Sequence, residues 1–267
     1  ISNLYNTCVT YKLKGKQMEK NILKFKDGNP EEIVFFDRKP HKYYWNDKEI
    51  KQTASGIVKP LTPSEVIGNW TAKMSAEKFK ELVKAGKSYD ELQLDDFYMQ
   101  IKGAARKNMQ QAGTIGSSVH DAFENFILSG NEPEFTNKQM AKSFATFKEW
   151  YLQQEGLEIV QTETLVLSRK HHYTGTFDAL FKNGKGEHII YDWKTSSGIR
   201  DSHICQCYGY SLALEEQYDF KVSQGVIVNS TREGKLNIKT FDIGEEEHQV
   251  FLACLKIKNF KPKTKEK

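Results

Sequence analysis

Two kinds of hydrophobic patterning divide this chain. Between residues 64 and 155, apolar side chains recur at helical spacing; from Glu158 onward, short apolar and β-branched runs alternate with turn residues. The helical half begins with Ser64 as a cap ahead of Trp70, Met74 and Phe79, and Ala85-Gly86 closes it. A second helix is predicted from Tyr89 to Gln111, ending before Gly113. A third starts at Ser117, with Val119, Ala122, Phe123, Phe126 and Ile127 on its apolar face, and ends near Gly130. A fourth runs from about Asn137 to Glu155, closed by Gly156.

Strands follow at Glu158–Leu167, Gly175–Phe181 and Glu187–Lys194. Then come a helix at Ser202–Tyr218, strands at Lys221–Asn229 and Lys235–Asp242, and a last helix at Glu245–Asn259. This order predicts an α/β unit with a central mixed sheet flanked by helices over residues 111–267. Residues 1–110 read as an extension, β-rich and irregular over 1–60 and then helical. Its short strands fall at Glu32–Phe36 and Lys42–Trp45, and Pro60 and Pro63 break the pattern.

The hairpin inside the second half carries the chemistry. Asn183-Gly184-Lys185-Gly186 is a turn signal between Gly175-Thr176-Phe177-Asp178 and Ile189-Ile190-Tyr191-Asp192-Trp193-Lys194. Asp178 and Asp192 lie almost symmetrically about that turn. A loop of two or four residues would pair Asp178 with Tyr191 and set the two acids on opposite faces. An odd loop, or a bulge, sets them on one face, and that is the expected arrangement. Two carboxylates on one face suit a hard divalent cation. Lys194 shares the face of Asp192, because strand side chains alternate. Asp-x-Lys by itself is a common sequence, and on its own it would describe a solvated hairpin.

Other residues gather around this core. His120 and Glu124 are one helical turn apart, and a neutral imidazole can ligate a metal. Gly113-Thr114-Ile115-Gly116 reads as a loop whose backbone can approach a phosphate. Glu163 lies in the strand before the hairpin. Gln206 and Tyr210 are again a helical turn apart.

Taken together, Gly116, His120, Glu124, Glu163, Gly175-x-x-Asp178, Asp192-x-Lys194 and Gln206-x3-Tyr210 resemble the PD-(D/E)XK nuclease superfamily. They resemble most its RecB-like exonuclease branch, including phage-encoded and mitochondrial genome-maintenance exonucleases. The resemblance covers about residues 110–230 and implies a restriction-endonuclease-like core. It implies metal ligation by His120, Asp178, Asp192 and the Trp193 carbonyl, with Mg²⁺ or Mn²⁺ as cofactor. Lys194 would position or activate water, and Glu163 would be an auxiliary acid. Gln206 and Tyr210, with Glu124, Thr195 and Ser196, would support the site or touch DNA. Phe177 stands where the superfamily usually has proline. Relatives with an iron–sulfur cluster carry three closely spaced cysteines after the Gln-x3-Tyr helix. Here only Cys254 follows it, so no cluster is expected.

Bulk properties narrow the reading only slightly. The chain has 267 residues and a net charge of +4, mildly basic. Six lysines lie between Lys256 and Lys267, a tail suited to sequence-independent phosphate contact. The four cysteines include no C-x-x-C pair, which suits a reducing cytoplasm. The chain starts at Ile1 rather than Met, so an organellar location stays open. There is no membrane-spanning run and no G-x4-G-K-[ST] loop, so an ATP motor is not expected.

The leading expectation is a metal-dependent exonuclease acting on single-stranded or frayed DNA ends in phage recombination or processing, with recombination or replication proteins as candidate partners. Trp70, Lys73, Lys102, Arg106 and Lys107 would guide the strand. A catalytically inactive DNA-binding or assembly module and a structure- or sequence-specific endonuclease remain open alternatives.

Overall fold

A computed structural model describes residues 6–13, 16–27, 32–37, 41–62, 64–85 and 94–262. Pro63, Gly86, the expected helix start at Tyr89 and the last five residues of the lysine-rich tail lie outside them.

The first half opens with five antiparallel strands in sequential order: β1 (Asn6–Leu13), β2 (Lys16–Leu23), β3 (Glu32–Asp37), β4 (Lys42–Trp45) and β5 (Lys48–Ile50). The sequence pattern shows only β3 and β4 of these. Two short turns follow, α1 (Ala54–Ile57) and a 3₁₀ turn (Lys59–Leu61), and then α2 (Ser64–Lys84).

The helix α3 (Leu94–Ser129) departs most from expectation. It runs unbroken for 36 residues, about 54 Å, through the Gly113-Thr114-Ile115-Gly116 segment read above as a loop. Two predicted helices are therefore one, and those glycines offer no loop backbone to a phosphate. The division expected at 110/111 falls within this helix. Ile115 and Val119 are buried against the sheet on the same face as Phe123 and Phe126, and that packing carries the helix across its glycines. At Gly116 a Cβ would stand 3.2 Å from Thr195 Oγ1, so the missing side chain lets α3 pass close to the strand that bears the Asp-x-Lys motif.

The second half matches the predicted order closely: α4 (Lys138–Leu152), β6 (Glu158–Ser168), β7 (Tyr173–Lys182), β8 (His188–Lys194), α5 (Asp201–Gln217), β9 (Val222–Ser230), β10 (Leu236–Asp242) and α6 (Glu245–Asn259). Asn137 caps α4, accepting from the Gln139 and Met140 N–H groups. The strands form a mixed sheet in the order β10-β9-β8-β7-β6, with β8 and β9 parallel and the other pairs antiparallel. This is an α/β core of the predicted class.

Both faces of this sheet are covered. On one, α1, α5 and α6 pack over Val166, Phe177, Leu180, Ile190 and Ile227. On the other, α3 and α4 cover Ala179, Phe181, Tyr191, Trp193 and Val228, while the N-terminal sheet covers Leu165 and Leu167. Cys205, Cys207 and Cys254 are free thiols buried in the first of these layers. Strand β8, covered on both sides, has five consecutive buried residues, Ile189 to Trp193. That continuous cover is what puts Asp192 out of water.

The glycines provide a test of this packing. A Cβ on Gly209 would meet Phe251 Cε2 at 2.4 Å, whereas one on Gly113 has nothing within 4 Å. Gly209→Ala is expected to destabilise by about 1–3 kcal/mol through overpacking. Gly113→Ala is expected to stabilise by about 0.5–1 kcal/mol, because position 113 is mid-helix. Urea unfolding of the two variants checks both signs.

Candidate active site

The β7–β8 hairpin settles the parity question. Its register pairs Lys182 with His188 and Ala179 with Tyr191. Asn183 N–H donates to Glu187 O at 3.0 Å, and Gly186 N–H to Asn183 O at 2.8 Å. Gly186 takes φ +85°, so the connection is a type I turn closed by a left-handed glycine. The loop is odd, as expected. Carried one step past Ala179–Tyr191, the register sets Asp178 opposite Asp192.

The ladder stops at that step. The Asp178 carboxylate accepts the Trp193 N–H at 2.6 Å, so a side chain takes the place of a strand partner. On its other side Asp178 falls opposite Glu163, between the pairs Thr162–Ala179 and Thr164–Phe177. Glu163 takes a left-handed φ of +40°. Side-chain alternation resets across this pair. Phe177 and Leu180 both face the α5–α6 layer although they are three positions apart. Thr162 instead turns to the α3 face, where its hydroxyl donates to Glu124 at 3.2 Å. A sheet distorted in this way frees acids from the two faces.

His120 reaches the same place from α3. One ligand atom each from His120, Glu163 and Asp178 lies within 4.8 Å of the others, and His120 Nδ1 is 3.8 Å from Asp178 Oδ1. The expected metal set was His120, Asp178, Asp192 and the Trp193 carbonyl. The structure clusters the first two with Glu163 and sets Asp192 beside them, in an ion pair with Lys194.

The electrostatics follow from cover. Burial raises the pKa of Asp192 to about 6; Lys194 opposes the shift and Asp178 adds to it. Burial likewise raises Asp178, against Lys194 and the Trp193 N–H. Burial pulls the Lys194 ammonium down, but Asp192 and Asp178 outweigh it, leaving its pKa raised and its charge firm. His120 is lowered to about 4, chiefly by burial and then by Lys194, so the imidazole is neutral near pH 7. Asp192 Oδ2 is buried and has no partner but the Lys194 ammonium.

This donor set fits a hard divalent cation: a neutral imidazole and three carboxyl groups, two of them, Asp178 and Asp192, held above their ordinary pKa by burial.

The remaining predicted residues form a supporting ring. Gln206 Nε2 donates to the Tyr210 hydroxyl. Tyr210 is buried and presses on β7 so closely that a Cβ on Gly175 would lie 2.6 Å from its ring. Ser196 donates to Gly198 O at 2.7 Å and reaches Asn229 Oδ1 at 3.3 Å, closing the turn after Lys194. Thr195 is the residue against Gly116. The Trp193 side chain is core, in contact with Phe123, Phe147 and Trp150. Two neighbours escaped the sequence reading. His203 is lowered to about 4 by burial, Lys194 and Arg200. The Cys207 thiol, held well above its usual pKa by burial and Asp192, is inert. His203 sits in no motif, and Cys207 occupies a variable position of Gln206-x3-Tyr210.

Glu163 holds a backbone conformation that costs a side chain-bearing residue about 1–2 kcal/mol. Glu163→Gly is therefore expected to be more stable than Glu163→Ala by about 1 kcal/mol, while both lose divalent-metal affinity equally. Thermal unfolding and calorimetric titration with Mn²⁺ separate the strain from the ligand.

No family profile and no curated protein matches the chain. Solved structures similar to it include an exonuclease from Eubacterium rectale, 14% identical, covering 55% of this chain and 64% of that one at a TM-score of 0.38. The alkaline exonuclease LHK-Exo from Laribacter hongkongensis is 11% identical over 53% of this chain and 80% of that one, at a TM-score of 0.29. A phage-related exonuclease from Haemophilus somnus is 13% identical over 52% and 76%, at 0.30. The chain thus spans less than two thirds of the length of the first of these. All three carry exonuclease names, but identities and TM-scores this low leave the functional assignment to the site's own chemistry.

Proposed function

We propose that this chain is a divalent-metal-dependent deoxyribonuclease of the PD-(D/E)XK type, in its RecB-like exonuclease branch. The observation that carries the reading is the convergence of His120, Glu163 and Asp178 beside a buried Asp192–Lys194 pair. Asp178, Asp192, Glu163 and His120 would hold Mg²⁺ or Mn²⁺. When bound, such a cation lowers the pKa of water and neutralises charge gathering on a phosphoryl group.

The chain's own groups do the rest. Lys194 keeps its proton under cover, so its ammonium can hold a phosphate oxygen or orient the attacking water. Asp192, paired with Lys194 in the structure, would be held ionised by a cation at the site. Gln206 and Tyr210 hold β7 and so fix Asp178.

The substrate reading rests on α3. Lys102, Arg106 and Lys107 are exposed on the helix that bears His120, with Arg106 about 21 Å from it along the axis. Lys73 is exposed and Trp70 half-buried on the adjoining α2. A single strand or frayed end drawn along this pair of helices toward His120 would meet positive charge before the acids. Phage DNA recombination or processing is the context proposed.

Digestion of end-labelled single- and double-stranded DNA in Mg²⁺ or Mn²⁺, with each end blocked in turn, tests the proposal. Metal-dependent release of nucleotides from free ends is expected, with covalently closed circles untouched. Asp192→Ala and Lys194→Ala are each expected to lower cleavage by at least roughly 100-fold, with Asp192→Ala also losing metal affinity. Near-normal cleavage by both folded variants would remove the assignment.

A further inference from the structure

The N-terminal sheet supplies a residue to the candidate site. Tyr43, on β4 between Phe36 and Ile50 of the flanking strands, is 7% exposed and belongs to the apolar layer that covers Leu165 and Leu167. Its hydroxyl crosses to the mixed sheet and shares a hydrogen bond with Thr176 Oγ1 at 3.2 Å. Thr176 stands two residues before Asp178, on the strand whose alternation resets there. It pairs with Leu165, two residues after Glu163. The same stretch is pressed from the other face by Tyr210 against Gly175.

We infer that Tyr43 is a positioning residue for the metal-binding acids: with Tyr210 it clamps β7 from opposite faces at adjacent residues, 175 and 176, and so fixes the distorted Glu163–Asp178 step. The clamp explains why that step can hold a left-handed Glu163. A strained backbone persists only where its surroundings over-determine it, and here both faces of the neighbouring strand are pinned. Tyr43 also lies within electrostatic reach of Glu163. On this account the N-terminal sheet forms a wall of the site, tied to β7 by the bond between the two hydroxyls.

The inference rests on the metal-site reading above, and metal binding itself provides a readout independent of cleavage. Calorimetric titration of the full chain with Mn²⁺ is the primary measurement, with DNA cleavage beside it. Tyr43→Phe is expected to weaken Mn²⁺ binding by roughly 10-fold, as losses of supporting hydrogen bonds around metal ligands do. It should raise the metal concentration for half-maximal cleavage while leaving KM for DNA unchanged. Thr176→Val should match it, Thr176→Ser should stay near wild type, and the double variant Tyr43→Phe/Thr176→Val should be no worse than either single one. Wild-type Mn²⁺ affinity in Tyr43→Phe, or additive losses in the double variant, would overturn the inference. Should Tyr43→Phe fold poorly, the comparison of Thr176→Ser with Thr176→Val reads the same bond from β7, and equal affinities in those two would overturn it. A wild-type chain that binds Mn²⁺ but cuts no DNA would remove the nuclease reading and leave the calorimetric test of Tyr43 standing.

Discussion

Asp178 and Asp192, facing each other across neighbouring strands, cannot both stay ionised under cover of protein without positive charge between or beside them. The cost of burying one carboxylate is several kcal/mol, and a second nearby raises it. Lys194 supplies the only cation that the pKa shifts of both acids record at close range. Its ammonium pairs with Asp192 alone. Asp178 has a backbone N–H, the neutral His120 imidazole and Glu163 close by, with Lys194 acting on it only through space. The acids are thus under-neutralised within the protein, and on the proposed reading a divalent cation would make up the shortfall.

The fold exists to maintain that shortfall. A sheet covered on both faces makes β8 apolar from Ile189 through Trp193, and Asp192 is carried into the interior by its neighbours. Antiparallel pairing of β7 with β8 delivers Asp178 opposite it, and the β6–β7 distortion adds Glu163. The long α3 then brings His120 in from a second layer. His120, Glu163 and Asp178 come together from three separate elements, beside Asp192 from a fourth, so no local segment could form the cluster by itself. A local collapse that would let water in, or let Lys194 neutralise both acids, is opposed by the packing of Tyr210 on one face and the N-terminal sheet on the other.

The second half of the chain was legible because its signals are short-range. The Asn183-to-Gly186 turn dictates the hairpin, the odd loop dictates which face the acids share, and Asp192-x-Lys194 follows from strand alternation. Predicted and observed bounds there differ by a few residues at most, as fraying ends do. What the sequence concealed is tertiary. Gly113 and Gly116 look like helix breakers, yet Ile115 and Val119 hold α3 together by packing on the sheet. The left-handed Glu163 has no local cause, since glutamate does not favour that conformation. Strands β1 and β2 lack strong alternation. Tyr43 belongs to an aromatic run that reads as core, and its partner Thr176 is 133 residues away in sequence.

The central claim is that the buried acids await a divalent ion. Anomalous diffraction from crystals of the chain soaked in Mn²⁺ tests it most directly. The account predicts a strong peak within about 2.5 Å of carboxylate oxygens from both Asp178 and Asp192, with the Lys194 ammonium drawn off Asp192. A Mn²⁺-saturated crystal with no peak there, and with Lys194 still on Asp192, would contradict it.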